Sequence, residues 1–333
     1  MKSKKNSKIK LAALFLCILM LLPVIFACNE NKNKTVGQET DTSDAPTDPS
    51  TNELITETEE ETTEYEEITG EQNNNDFLYE ITSDDTITIM GYIGNETEVT
   101  IPDYIDGYKV ASIYTGEYAF DGWNNLTAIN VAEDHTVYSS LDGVLFNKDK
   151  TEIIYYPDKK SDASYTIPDS VKKIGGHAFV ACNFASATIP DSVTEIGFFS
   201  FGYCEKLTSI TIPDSVTYIG VVAFKDCIGL TSVTIPGSVN IIDVSAFINC
   251  TSLTDVIIED GVAAINSGAF SYCENLTSVT IPDSVTHIGN DGEDGLPHTA
   301  SAFGFCPNLT ITCPDGSYAH QYCIDNNIAF ILK

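Results

Sequence analysis

Hydrophobic residues in the second half of the chain recur with a period of 22 or 23 residues. Six repeats begin with an isoleucine, and each carries valine four and isoleucine seven residues later. In the first five repeats phenylalanine follows twelve residues after the start. The six starts are Ile167, Ile189, Ile212, Ile235, Ile258 and Ile281. Self-similarity at a period of about 20–29 residues is the signature of a solenoid in which each repeat is covered by its neighbours.

Each repeat is too short for a strand and a long helix. The stretch from Leu230 to Ile235 is β-branched and partly alternating, which predicts one strand per repeat. Pro236 has no N–H to donate and ends the strand, and the following residues form a turn. We expect the chain to return through a turn or a single helical turn near Ala223 and Phe224. The strands then stack into one parallel sheet.

The regular repeats occupy residues 167–311 and are flanked by irregular segments. Residues 76–126 predict an N-terminal β cap with one divergent repeat. Residues 127–166 contain an insertion that reads as a β-hairpin around residues 147–150. Residues 312–333 predict a short helix and a last strand, which together form a C-terminal cap.

The repeated phrase carries a family resemblance. From Leu230 it reads Leu-Thr-Ser-Val-Thr-Ile-Pro, and a typical continuation is Asp-Ser-Val-Thr-x-Ile-Gly-x-x-Ala-Phe-x-x-Cys. It resembles the BspA-like leucine-rich repeat of bacterial surface proteins, over roughly residues 76–333. The resemblance implies an α/β, β-rich leucine-rich-repeat solenoid with its parallel sheet on the concave face. It also implies display outside the cell and a role in adhesion or in binding host or partner macromolecules.

The N-terminus has the pattern of a secretory signal. Residues 1–27 begin with five lysines and continue with an apolar run from Leu11 to Ala27. The end of this run, Ile25-Phe26-Ala27-Cys28, resembles the cleavage box of bacterial lipoproteins, which implies lipidation of Cys28. The alternative is an uncleaved N-terminal anchor helix, and the run of 17 residues is barely long enough to span a membrane.

Residues 28–75 predict a disordered acidic linker. Fourteen acidic residues and two lysines fill this segment, and large apolar residues are almost absent. The whole chain has a net charge of −31 and contains no arginine. Nucleic-acid binding needs a basic surface and is excluded. The same charge disfavours direct docking on anionic lipid, so the only predicted membrane contact is the lipid anchor.

Six of the ten cysteines occupy one repeat position, three residues after the repeated phenylalanine. They are Cys182, Cys204, Cys227, Cys250, Cys273 and Cys306. This regularity predicts a column of small buried thiols, because side chains stacked in parallel have poor disulfide geometry. Cys313 and Cys323 are the one pair for which a bridge stays open. The scattered histidines lack metal-ligand spacing, and no metal site or cofactor is predicted.

Candidate binding residues come from three places. The outward strand positions are Ser209, Thr211, Ser232, Thr234, Asp255, Ser278 and Thr280. The hairpin offers Tyr155 and Tyr156, for which packing inside the cap is the alternative. The long insertion between Ile288 and Phe303 offers a loop at residues 290–299 with Asp291, Glu293 and Asp294, and cation binding there stays open.

Two functions fit these features. The first is a monomeric, lipid-anchored module on the extracellular face of a bacterial membrane that binds an extracellular protein, or in a variant a glycan. The second is a structural surface spacer without a dedicated ligand. Catalysis is not expected, because no two reactive groups recur at a reacting spacing.

Overall fold

The computed structural model describes residues 76–83, 85–116, 120–289 and 301–333. The first part of this region is a set of short strands. Its elements are β1 (Phe77–Ser83), β2 (Thr86–Tyr92), β3 (Glu98–Ile101), β4 (Tyr104–Ile105), β5 (Tyr108–Ile113), a 3-10 helix (Asp121–Trp123) and β6 (Ala128–Val131). β1 pairs antiparallel with β2, and β2 pairs parallel with β5. β4 and β5 are antiparallel, and β3 pairs parallel with β6.

The predicted hairpin is confirmed as part of a three-stranded antiparallel meander. It consists of β7 (Tyr138–Leu141), β8 (Val144–Asn147) and β9 (Glu152–Tyr155). The side-chain oxygen of Asn147 accepts hydrogen bonds from the backbone N–H groups of Thr151 (2.8 Å) and Glu152 (3.0 Å). This pairing fixes the turn between β8 and β9.

One strand of each repeat lies where the sequence predicts it. Neighbouring strands are parallel and in register, so equivalent residues lie side by side, as Val233 does with Val256. The strands are β10 (Ser164–Thr166), β12 (Ser186–Thr188), β14 (Ser209–Thr211), β16 (Ser232–Ile235), β18 (Asp255–Ile258), β20 (Ser278–Thr280), β22 (Thr310–Cys313) and β23 (Ala329–Leu332). They form a three-stranded sheet, β10-β12-β14, and a five-stranded sheet, β16-β18-β20-β22-β23. A hydrogen bond from Thr231 N to Thr208 O of 3.3 Å connects the two sheets, which together we call the long-strand sheet.

Each regular repeat also contributes a second strand of two residues, and the prediction of a single parallel sheet is therefore wrong. These strands continue the meander in parallel and form one nine-stranded sheet with β7, β8 and β9. We call it the short-strand sheet. Its repeat strands are β11 (Lys173–Ile174), β13 (Glu195–Ile196), β15 (Tyr218–Ile219), β17 (Ile241–Ile242), β19 (Ala264–Ile265) and β21 (His287–Ile288).

A close backbone approach explains the glycine that follows this strand in several repeats. A Cβ atom on Gly220 would lie 2.8 Å from the carbonyl carbon of Gly197 in the preceding repeat. Gly197 would meet the backbone of Gly175 in the same way. The absence of a side chain lets successive turns stack at this point.

The interior consists of columns of identical side chains. The phenylalanine column stacks with ring centroids 4.9–5.5 Å apart and planes within 15° of parallel. Its members are Phe179, Phe201, Phe224, Phe247, Phe270 and Phe303. The repeated valines, isoleucines and leucines are buried beside it. Stacking thus buries an apolar surface that a single repeat leaves exposed.

The six repeat cysteines form the predicted buried column, with Cys306 only partly buried, and all are free thiols. Each thiol after the first donates to a phenylalanine carbonyl of the preceding repeat, as Cys227 does to Phe201 O at 3.1 Å. Burial raises the pKa of Cys204 and Cys227 well above the ordinary value. A neutral donor at this position therefore satisfies a backbone carbonyl inside the core.

The last residues contain the predicted helix and strand. The helix α1 (Tyr318–Asp325) begins at Ser317, whose hydroxyl accepts the His320 N–H at 3.2 Å. β23 then pairs parallel with β22. Cys313 and Cys323 are buried here as free thiols.

Candidate partner-binding surfaces

The long-strand sheet presents two columns of outward side chains, which together we call the strand face. Residues at alternate positions of a strand point to opposite sides, so Val233 is buried whereas Ser232 and Thr234 are exposed. Parallel pairing then aligns the exposed residues from repeat to repeat. The predicted residues Ser209, Thr211, Asp255, Ser278 and Thr280 lie in these same columns, the last two half-buried.

The strand face is longer than predicted from the sequence. Hydroxyls at the equivalent positions of β10, β12 and β22 extend both columns. The twelve hydroxyl residues are Ser164, Thr166, Ser186, Thr188, Ser209, Thr211, Ser232, Thr234, Ser278, Thr280, Thr310 and Thr312. Only β18 interrupts them, with Asp255 and Ile257, and Ile257 is 47% exposed.

These hydroxyls differ from others in the same repeat in their hydrogen bonding. A neighbouring threonine column is bound to the backbone: the hydroxyl of Thr231 donates to Thr208 O at 3.3 Å, and Thr254 donates to Thr231 O at 3.1 Å. Within the described ranges, none of the twelve strand-face hydroxyls is hydrogen-bonded to another protein group. The strand face therefore offers donors and acceptors that the fold itself does not use.

The two predicted tyrosines are core residues, and their assignment as partner contacts is wrong. Tyr155 is buried in the N-terminal core, where its ring stacks on Phe120 at 4.0 Å. Tyr156 is buried in the repeat core against Phe179 and Phe184. Consecutive strand residues point in opposite directions, and the hairpin has a hydrophobic core on each side, so both rings are covered.

A second exposed feature lies on the turns that precede the cysteine column. The residue immediately before each column cysteine has a positive φ of 55–62° and is exposed or half-buried. We call this column the turn ridge. Its members are Ala181, Tyr203, Asp226, Asn249, Tyr272 and Phe305. The turn ridge was not predicted, although three of the six residues before the column cysteines are aromatic in the sequence.

The turn ridge carries aromatic rings at two places. Tyr203 is 45% exposed, and its ring packs edge-on against the ring of Phe199. The ring centroid of Phe199 lies 6.1 Å from that of the exposed Phe198. Farther along, the rings of Tyr272 and Phe305 stack at 4.4 Å and 11°, and Phe305 is 57% exposed. Solvent-facing rings of this kind are common energetic anchors of protein interfaces.

Several predictions concern residues outside the described ranges. These are the signal at 1–27, the lipidation site Cys28, the linker at 28–75, and the loop at 290–299 with Asp291, Glu293 and Asp294. In the described ranges no helix has the length and apolar character needed to cross a bilayer. The same ranges contain no group of three histidine, cysteine or acidic side chains placed to hold a metal ion.

Comparison with known families identifies the repeats. Residues 172–292 match the BspA type leucine-rich repeat region in six copies. This match and the parallel strands described above show that the repeat region is a BspA-type leucine-rich repeat solenoid. A comparison with curated proteins found no match.

Solved structures of bacterial proteins share the fold. A leucine-rich repeat protein from Eubacterium ventriosum is 27% identical with a TM-score of 0.56, over 64% of this chain and 53% of that protein. The pneumococcal vaccine antigen PcpA is 20% identical with a TM-score of 0.57, over 73% of this chain and 57% of that protein. The chain thus spans little more than half the length of these two structures.

Proposed function

From this BspA-type solenoid we propose a surface protein that binds an extracellular protein partner through its strand face. The observation that carries the proposal is the set of twelve hydroxyls that the fold leaves without a hydrogen-bonding role. They stand on strands held rigidly in register, so a partner meets them already ordered. Asp255 is the one charged side chain among the strand-face positions named above, and a partner therefore meets little charge to desolvate there.

The strength of single contacts indicates how a partner uses this face. A neutral hydrogen bond contributes about 0.5–1.5 kcal/mol net, whereas micromolar affinity requires about 8 kcal/mol. One repeat is thus too weak, and a partner has to engage several repeats together. The strands lie about 4.8 Å apart, which suits an elongated partner surface that crosses many of them. Ile257 offers an apolar contact within the hydroxyl columns.

In this proposal the solenoid is displayed at the outer face of a bacterial membrane. Lipidation of Cys28 supplies the anchor, and the linker at 28–75 separates the solenoid from the bilayer by on the order of 40 Å. The protein acts by binding, without catalysis and without a cofactor. The similar proteins of solved structure are bacterial, which is consistent with this setting.

The proposal is tested by a binding array of extracellular matrix proteins, glycans and bacterial surface proteins probed with the full chain. We expect saturable binding to a protein at physiological salt. Thr234→Tyr keeps strand propensity but places a bulky ring in the centre of the strand face, and it should weaken binding at least tenfold.

A matched control for this variant is Ile241→Tyr. Ile241 is exposed on the short-strand sheet, and the preceding repeat has Tyr218 at the same position. The control should bind within twofold of the natural chain. An array without any saturable ligand would favour the structural spacer, and binding to glycans alone would favour the carbohydrate-binding variant.

A further inference from the structure

Cys182 differs from the other cysteines of the buried column in what its thiol contacts. The later thiols of the column, such as that of Cys227, each donate to a phenylalanine carbonyl of the preceding repeat. Cys182 is the first member, and in the described ranges the one hydrogen-bonding contact of its thiol is the sulfur of Cys204. These two sulfur atoms lie 2.7 Å apart. Two thiols of adjacent repeats are therefore turned toward each other.

The distance between these two sulfur atoms is unusual for a parallel column. Neighbouring rungs lie ~4.8 Å apart, so identical side-chain rotamers on adjacent repeats would hold their sulfur atoms about that far apart. The side chains of Cys182 and Cys204 thus point in different directions, and the poor disulfide geometry expected of a parallel column does not apply to them. The rung spacing itself falls within the separation of about 4.4–6.8 Å between Cα atoms that a disulfide spans.

The sequence shows why this pair differs from its neighbours. The segment from Cys182 to the next repeat start, Ile189, is one residue shorter than the equivalent segment after Cys204. The strands that follow are nevertheless in register, with Ser186 beside Ser209. The chain therefore takes a shorter path out of the turn after Cys182. This local difference breaks the equivalence of the two cysteine side chains.

The surroundings of the pair tolerate the loss of both thiol hydrogens. Cys182 and Cys204 are 2% and 0% exposed. The Cys204 thiol also donates to Phe179 O at 3.0 Å, but the same carbonyl accepts the N–H of Cys182 at 3.1 Å. This carbonyl keeps a donor when the thiol hydrogen is removed. Joining the two sulfur atoms therefore leaves no buried backbone group unpaired at this point.

We propose that Cys182 and Cys204 form a disulfide that joins the first two regular repeats. The reaction is a thiol–disulfide exchange with a disulfide oxidant, either an oxidised dithiol protein or a small-molecule disulfide. One cysteine thiolate attacks the oxidant and forms a mixed disulfide, and the second attacks the cysteine sulfur of that bond and releases the oxidant. The two cysteines lose two hydrogens in total, which the two sulfur atoms of the reduced oxidant gain. The display outside the cell proposed above would supply an oxidising setting.

The exchange takes place while the chain folds. The attacking group is a thiolate, and it has to reach the oxidant. In the folded chain both sulfur atoms are buried, and burial raises the pKa of Cys204. The same burial protects the bond once it has formed, so it should be reduced by dithiothreitol at least tenfold more slowly in native buffer than in urea.

Trypsin allows a specific test, because it releases residues 174–206 as one peptide that contains both cysteines and no others. The full chain is reduced in urea and refolded by dilution, either with oxidised glutathione or with dithiothreitol. The remaining thiols are alkylated in urea, and the tryptic peptide is identified by mass spectrometry. We expect an unalkylated, internally bonded peptide after oxidising refolding and a doubly alkylated peptide after reducing refolding. Further cleavage at Glu195 should leave the two halves of the bonded peptide linked.

Two variants show whether the pairing is specific. Cys227→Ala removes the next thiol of the column beyond Cys204, and it should form the bond with a yield within twofold of that of the natural chain. Cys182→Ala removes one of the proposed partners. In this variant Cys204 should not pair with Cys227 instead, because the Cys227 thiol is directed to the carbonyl of Phe201.

Two results would overturn the proposal. One is a doubly alkylated peptide after oxidising refolding of the natural chain. The other is a bond that forms in urea with the same yield as during refolding, because the folded geometry would then not direct the pairing. Neither result bears on the strand-face proposal, which is judged by the array and by Thr234→Tyr.

Discussion

Ser200 is the one member of its column that differs from alanine, and replacing it should stabilise the protein. It is fully buried, and its hydroxyl is without a hydrogen-bonding partner in the described ranges. The equivalent residues of the other repeats are Ala178, Ala223, Ala246, Ala269 and Ala302, all fully buried. A buried hydroxyl without a hydrogen-bonding partner lowers the stability of the folded state by about 1–3 kcal/mol. The small cavity left when one oxygen atom is removed lowers it by only a fraction of that amount. Ser200→Ala should therefore raise the free energy of unfolding by about 1–2 kcal/mol.

The repeats provide the reciprocal experiment. Ala246→Ser places the same unpaired hydroxyl at the equivalent buried site, and it should lower the free energy of unfolding by about 1–3 kcal/mol. Both variants are compared with the natural chain in urea titrations followed by circular dichroism. The three curves are fitted with one common m-value, the slope of the unfolding free energy against urea concentration. A neutral or destabilising effect of Ser200→Ala would contradict this prediction, since it would mean that the hydroxyl is hydrogen-bonded in solution.

Three further predictions follow from the core. The ring of Phe224 stacks between its two neighbours in the column, with centroid distances of 5.0 and 4.9 Å. Phe224→Ala should lower the free energy of unfolding by about 3–5 kcal/mol in the same titration. A loss below about 1 kcal/mol would contradict a close-packed column. The Nδ1 atom of His135 accepts hydrogen bonds from the backbone N–H groups of Val137 and Tyr138. It therefore carries no proton toward Asp103, whose carboxylate oxygen lies 3.9 Å away, and the two do not form an ion pair. Burial lowers the pKa of His135. As the pH falls, His135 takes up a proton in the unfolded chain before it does so in the folded protein. The contribution of neutral His135 to the free energy of unfolding is therefore complete above about pH 6.5 and declines below it. His135→Asn should flatten this decline between about pH 7.5 and 5.5. Alkylation mapped by mass spectrometry should leave Cys204 unmodified in the native protein and modify it in urea, and rapid native modification would contradict the burial that raises its pKa.

The columns of the core could be predicted from the sequence because each position recurs six times. A parallel stack gives equivalent residues the same environment, so one inward phenylalanine implies that the others point inward too. The same logic correctly placed Ser232 and Thr234 outside and the cysteines inside. The second sheet could not be predicted this way, because strands of two residues, such as Lys173–Ile174, are too short for any periodic pattern.

The candidate sites were less predictable, because they depend on contacts between distant residues. The sequence leaves Tyr155 and Tyr156 open between partner binding and packing, and only the two hydrophobic cores next to the hairpin decide for packing. The pairing of Tyr272 with Phe305 joins residues 33 positions apart, across an insertion that breaks the period. The hydroxyls of Thr231 and Thr234 look alike in sequence, and only the backbone geometry shows that the first is bound and the second is not.

We propose above that the rigid strand face binds a protein partner. The measurement that tests it most directly is the binding isotherm of the best array ligand with the natural chain, Thr234→Tyr and Ile241→Tyr. We expect a saturable isotherm, with an affinity that Thr234→Tyr weakens at least tenfold and Ile241→Tyr leaves within twofold. Equal affinity for all three proteins would contradict it, because the ligand would then bind a part of the chain other than the strand face.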